Sequence, residues 1–165
     1  MQGAEATAHT ETRVLLACFE VAGRVVAIDV ARLREIVRYA EPTPLPGAPG
    51  EIEGVIELRG ALVPVVDLGR ALGVGRARPG RRTRIAVAEV EGLVVGLVVD
   101  AALDMLAAPA ASLGDPPPLA REAGCAATRA VVRRASGPMV AVLALEVVLA
   151  GVLRAALARP GEGDA

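Results

Sequence analysis

The chain repeats itself, and that constrains its fold more than any other feature. "EVAGRVVAIDVARLREIV", Glu20 to Val37, lies over "EVEGLVVGLVVDAALDML", Glu89 to Leu106, at a constant offset that places Gly23 on Gly92. Further on, "LVPVVDLGRAL", Leu62 to Leu72, lies over "MVAVLALEVVL", Met139 to Leu149. Two matches in the same order predict an internal duplication. A duplicated chain of 165 residues has room for two small halves sharing one core, and not for several independent modules.

Local pattern indicates what each half contains. "VLLACFEVAGRVVAIDV" reads as two apolar strands joined at Ala22-Gly23, where glycine supplies backbone freedom. "ARLREIVRY" carries Leu33, Ile36 and Val37 at helical spacing, which predicts a helix. "EPTPLPGAPG" holds Pro42, Pro44, Pro46 and Pro49, which forbid a regular element and favour a stiff, extended connector. "GVIELRGALVPVVDLGRALG", Gly54 to Gly73, then reads as a strand at Val55 to Leu58, a turn at Arg59-Gly60, a strand at Leu62 to Val66 and a short helix at Leu68 to Leu72. The halves are linked by "GVGRARPGRRTR", and the apolar run "LALEVVLAGVLRAALAR" is expected to form a terminal helix covering the sheet.

The expected fold is therefore mainly β: a pair of small β-barrels about a pseudo-twofold axis, with short helices and a C-terminal helix. Residues 1–12 and 159–165 are expected to be disordered tails. Between them, 13–158 forms one domain of two interleaved barrel subdomains, at roughly 13–75 and 83–150.

Composition narrows the function. Apolar residues make up 53% of the chain, but there is one Tyr, one Phe and no Trp, so the core is built from Val, Leu, Ala and Ile. A net charge of -1 points to neither nucleic acid nor an anionic membrane. Cys18 and Cys125 have no partner at metal or redox spacing and are expected to be buried thiols in a reducing cytoplasm. No signal-peptide core or uncharged membrane-length stretch is visible, which gives a cytoplasmic expectation.

Catalytic constellations are missing from the sequence. His9 is the only histidine, Ser112 and Ser136 are the only serines, and no phosphate-binding glycine motif occurs. Asp29, Asp67, Asp100 and Asp104 each read as ending an apolar strand, where an acid caps the next helix. The reading is no enzyme, no cofactor and no metal. The rival class is a nucleic-acid-binding barrel using Arg76, Arg78, Arg81, Arg82 and Arg84, although no aromatic side chain accompanies them to stack on a base.

At Glu35-Ile36, "PLPGAP", Gly54-Val55-Ile56, Leu58-Arg59-Gly60 and Pro64-Val65-Val66-Asp67-Leu68, the sequence resembles the CheW-like domain family of bacterial chemotaxis adaptors. "VVGLVVDAALDML", Val94 to Leu106, resembles the family's second half, and the likeness runs from about Val14 to Leu149. The resemblance implies two five-stranded SH3-like barrels and a non-catalytic scaffold of two-component signal transduction. Such a scaffold couples a chemoreceptor's cytoplasmic tip to the regulatory domain of a CheA-like histidine kinase, and is recruited from the cytoplasm to receptor arrays beside other CheW-like proteins.

By the same resemblance, a receptor helix would lie between the barrels near Leu33, Arg34, Gly54 and Gly60, the two glycines letting it approach closely. The kinase would meet strand edges near Val65, Asp67, Val98 and Asp100. Arg59 would pair with Glu35. By its own chemistry, Pro64 removes a ladder donor and is tolerable only at an edge or a bulge. The last third departs from the pattern: Ala144 stands where Asp67 stands in the first half, and "ATRAVVRR" carries Arg129, Arg133 and Arg134.

Overall fold

A computed structural model describes residues 12–113, 127–134 and 137–157, together with Pro118. His9, Cys125, Ser136 and the expected tails lie outside the described residues, except Thr12, whose carbonyl accepts a hydrogen bond from Ala110 N at 2.7 Å.

Ten strands form two five-stranded sheets. In chain order they are β1 (Arg13–Val21), β2 (Arg24–Asp29), β3 (Leu33–Arg38), β4 (Ile52–Leu58), β5 (Ala61–Asp67), β6 (Arg84–Val90), β7 (Leu93–Val99), β8 (Ala101–Pro109), β9 (Thr128–Val132) and β10 (Val140–Leu143). A short helix α1 (Leu68–Ala71) follows β5, and α2 (Leu145–Leu157) follows β10. The sheet orders are β8-β1-β2-β10-β9 and β3-β6-β7-β5-β4.

Moving each strand five places along the chain turns one order into the other, which is the duplication expressed as topology. β5 runs parallel to β7, and its counterpart β10 runs parallel to β2. The division at 13–75 and 83–150 nevertheless does not separate the sheets. The first half gives β1 and β2 to one sheet and β3, β4 and β5 to the other; the second half does the reverse. One contiguous sheet therefore spans 33–99, and the other is assembled from 13–29 and 101–143.

Three hairpins share one turn chemistry. Ala22-Gly23, Arg59-Gly60 and Glu91-Gly92 all have positive φ at both residues, 51° and 77°, 52° and 83°, and 52° and 81°. That backbone matches the right-handed twist of the strands it joins.

The inner strands are apolar on both faces because each face meets a different core. Leu16, Cys18, Ala27, Val132 and Val142 belong to a cluster fed by all five strands of the first sheet. Val37, Ile56, Val65, Ile85 and Val98 belong to a second cluster, fed by all five strands of the other. Phe19, Ile28, Val66, Ala86 and Leu97 point the opposite way into a cluster shared by both sheets, and Leu145, Val148 and Val152 of α2 close it. Neighbouring residues such as Val65 and Val66 thus serve different interiors, as strand alternation requires.

The helix expected over "ARLREIVRY" is instead a strand. Asp29 accepts from Ala31 N at 2.9 Å and starts a 3-10 turn, Val30–Arg32, which ends at Leu33. From there Leu33, Glu35 and Val37 alternate inward against Arg34, Ile36 and Arg38, and the strand pairs with β6. Leu33, Ile36 and Val37 fit helical spacing too. The β6 ladder and the strand preference of Ile and Val decide between the two. Asp104 also differs from expectation: it lies within β8, exposed, and pairs with Arg134 at 3.3 Å.

Candidate functional site

An apolar groove of about 840 Å³ opens where β5 and β7 part. Their parallel ladder starts at Val65 opposite Gly96 and covers only Val65, Val66 and Asp67. Before it, Ala61 to Pro64 on one strand and Leu93 to Val95 on the other diverge and line the groove. Pro64 stands at the fork. Having no N–H, it cannot extend a ladder toward β7, although β5 as a whole is an inner strand and, of the two expected settings, not an edge.

The floor is left unusually open. Leu62 is 73% exposed and Leu93 65%, both within the groove, while Leu149 and Ala150 of α2 form its far wall. Large apolar side chains this exposed on adjoining elements mark a contact surface.

Charges border it. Arg59 Nη1 donates to Glu35 Oε2, and Arg34 Nε donates to Glu89 Oε1 at 2.8 Å. Glu91 and Glu146 lie at other points of the lining. The Arg59 side chain is 76% exposed and that of Glu35 only 23%, so the arginine reaches from the β4–β5 turn onto a half-buried acid of β3.

The CheW-like domain family model matches residues 15–152, nearly the whole described chain. The chain belongs to the CheW-like domain family. It is 43% identical over 91 residues to "Chemotaxis protein CheW" of Rhizobium meliloti, a match covering 55% of this chain and 59% of that one. It is 38% identical over 120 residues to "Protein FrzA" of Myxococcus xanthus, covering 73% and 74%. The match to the Rhizobium relative therefore spans less than two thirds of that protein's length. Among solved structures, the scaffolding protein TtCheW from Thermoanaerobacter tengcongensis superposes with a TM-score of 0.75 at 26% identity, over 85% of this chain and 90% of that one.

The CheW-like resemblance placed ten residues in sites, and the structure gathers only some of them. Arg34, Glu35 and Arg59 line the groove. Leu33 instead packs against the shared core. Gly54 is buried, with φ +147°, and a Cβ there would lie 2.0 Å from Thr43 O, so this glycine admits the chain's own Thr43 segment and not a partner. Gly60 has nothing within 4 Å of a built Cβ; its glycine serves the turn at φ +83°.

The residues assigned to a kinase contact need a larger correction. Val65, Asp67 and Val98 are fully buried and present no surface to a partner. Asp67 caps α1, accepting from Arg70 N at 3.4 Å, and also accepts from Ala77 N at 2.9 Å. Asp100 accepts from Ala22 N at 2.7 Å, tying β8's start to the first hairpin turn. Val65, Asp67 and Val98 thus belong to the interior, while Asp100 remains partly exposed at the turn it braces.

Behind α1, Tyr39 donates its hydroxyl to Glu53 Oε1 at 3.2 Å. Burial and then the Asp67 charge push the Glu53 carboxyl above its ordinary range. Burial and then Glu53 push the Tyr39 hydroxyl up to about 12. Among the described residues no group of three or more potential metal ligands occurs, and no helix is long and apolar enough to cross a membrane.

Sequence reasoning missed Leu62, Leu93 and Leu149. The signal available was Pro64: a proline inside an inner strand implies that one side of that strand has no ladder, and Leu62 is its neighbour on that unpaired half. The arginine-rich link also does not form a continuous track. Arg82 pairs with Glu20 at 3.2 Å, and Arg84 donates to the carbonyls of Arg81 and Thr83.

Proposed function

We propose that this chain is a non-catalytic adaptor that joins the cytoplasmic tip of a chemoreceptor to the regulatory domain of a CheA-like histidine kinase. The observation that carries the reading is the groove with Leu62 and Leu93 exposed at its floor. Receptor tips are helical, and an amphipathic helix laid into such a groove covers both leucines with anchors one turn apart. Arg34, Arg59, Glu91 and Glu146 then face its polar flanks with both signs of charge, which fixes register more than it adds affinity.

The kinase contact falls elsewhere. β8 is an edge strand, and across the β1–β8 ladder Leu15 and Met105 are diagonal neighbours, 44% and 54% exposed, with Leu103 beside them at 37%. An edge strand flanked by apolar side chains suits a partner built on similar strands. The role requires no chemistry on a substrate, and the protein is recruited to receptor arrays by these contacts.

Titration of the full chain against a receptor-tip helical hairpin tests this reading. Burying one leucine is worth ~1.5–3 kcal/mol, so Leu62→Glu and Leu93→Glu are each expected to weaken binding by about tenfold or more without lowering the melting temperature. Unchanged affinity in both folded variants would place the receptor somewhere other than the groove.

A further inference from the structure

Three arginines outside the groove meet at a second site. Arg38 of β3 and Arg84 of β6 are direct cross-strand partners. Like charges placed opposite one another destabilise a sheet, and this pair ends a ladder in which no other position sets like charges opposite each other. Arg81 joins them, and with Tyr39, Gly80 and Thr83 the three arginines line a pocket of about 400 Å³ separate from the groove.

The pocket is braced from within. Thr83, 2% exposed, accepts from Gly80 N through its hydroxyl at 2.8 Å, while Thr83 N donates to Gly80 O at 3.2 Å. Arg84 Nη1 donates to Arg81 O at 2.8 Å and to Thr83 O at 2.9 Å, which fixes that guanidinium beside the pocket. Tyr39 turns its hydroxyl away to Glu53. Among the described residues no carboxylate forms an ion pair with Arg38, Arg81 or Arg84, whereas Arg82 beside them is taken by Glu20.

We propose that this pocket binds a small phosphate-bearing anion. A dianion with three acceptor oxygens relieves the Arg38–Arg84 opposition and offers three guanidinium groups more acceptors than a single carboxylate does. The pocket's size and its single aromatic ring suit one compact group and not a nucleic-acid strand, which needs successive stacking platforms. This proposal is independent of the adaptor reading, since no pocket residue lines the groove.

The test is thermal unfolding of the full chain titrated with inorganic phosphate, with AMP, and with sodium chloride at matched ionic strength. A rise of about 3–6 °C is expected at roughly ten times the dissociation constant of the anion, with none from chloride. A larger rise with AMP identifies a nucleotide as the source, and equal rises identify free phosphate. Arg38→Gln is expected to melt about 1–2 °C higher than wild type without anion and to lose the phosphate-dependent rise. Arg81→Gln is expected to lose the rise as well, and Arg78→Gln, outside the pocket, to keep it. No rise above the chloride control, or an equal rise in Arg38→Gln and Arg81→Gln, would overturn the proposal.

Discussion

Arg59 Nη1 donates to Glu35 Oε2, tying the turn between β4 and β5 to the edge strand β3. The pair is stretched between solvent and protein, with the arginine 76% exposed. Water screens such a contact, which is worth ~0–1 kcal/mol. Arg59→Ala is therefore expected to lower the melting temperature by no more than about 4 °C. It should weaken receptor-tip binding about fivefold or more, because the arginine borders the groove. Calorimetry and binding measured on the same preparation separate these effects; a large fall in melting temperature would mean that the pair holds the fold.

Asp67 has the opposite profile. It is fully buried and accepts from two backbone N–H groups, Arg70 N and Ala77 N. Asp67→Ala leaves both donors unsatisfied and is expected to cost about 2–4 kcal/mol, read from denaturant unfolding. Any loss of kinase binding in that variant should vanish at a temperature where the protein remains folded.

The two glycines at the ends of "GVIELRG" differ in kind. Gly54 stands where β4 bulges to admit Thr43, whose N and O bond Val55 O and N at 2.8 and 2.9 Å. Gly54→Ala is expected to destabilise by at least about 2 kcal/mol, since the added methyl meets backbone that is itself hydrogen-bonded. Gly60→Asn meets open space and needs only a left-handed backbone, which Asn tolerates, so its unfolding midpoint should shift little.

These contrasts show what the sequence could and could not reveal. The duplication, the three X-Gly hairpins and the cap at Asp67 were legible because each is a local rule: a repeat, a turn, a strand-to-helix junction. β3 was not, because Leu33, Ile36 and Val37 satisfy two periodicities and only the presence of β6 selects one. Interleaving of the halves was expected, but which strands cross was hidden, since no local signal states which of two equivalent ladders β3 or β8 joins. At the site, Glu35 and Arg59 were recoverable from a family block. Val65, Asp67 and Val98 were misassigned because strands buried on both faces carry the same apolar letters as an exposed docking edge.

Stability should fall as pH rises in two windows, each set by an acid whose proton the fold retains. The folded Glu53 carboxyl titrates above its ordinary value of 4.5, so the unfolded chain releases its proton first and folding weakens as pH climbs from there through the folded value. Tyr39 repeats the effect between its ordinary value of 10.0 and about 12. Glu53→Gln is expected to flatten the first decline and Tyr39→Phe the second, measured as melting temperature against pH. A decline of unchanged slope in either variant would assign it to another group.

Bridging of receptor and kinase is read from co-sedimentation with three components. Receptor tips assembled on vesicles are spun down with the regulatory domain of the cognate CheA-like kinase, with and without the full chain. The kinase domain is expected to pellet far more when the chain is present, and Leu62→Glu to remove this gain while still binding the kinase domain in solution. Kinase sedimentation unaffected by the chain, with each partner shown to be folded, would rule bridging out.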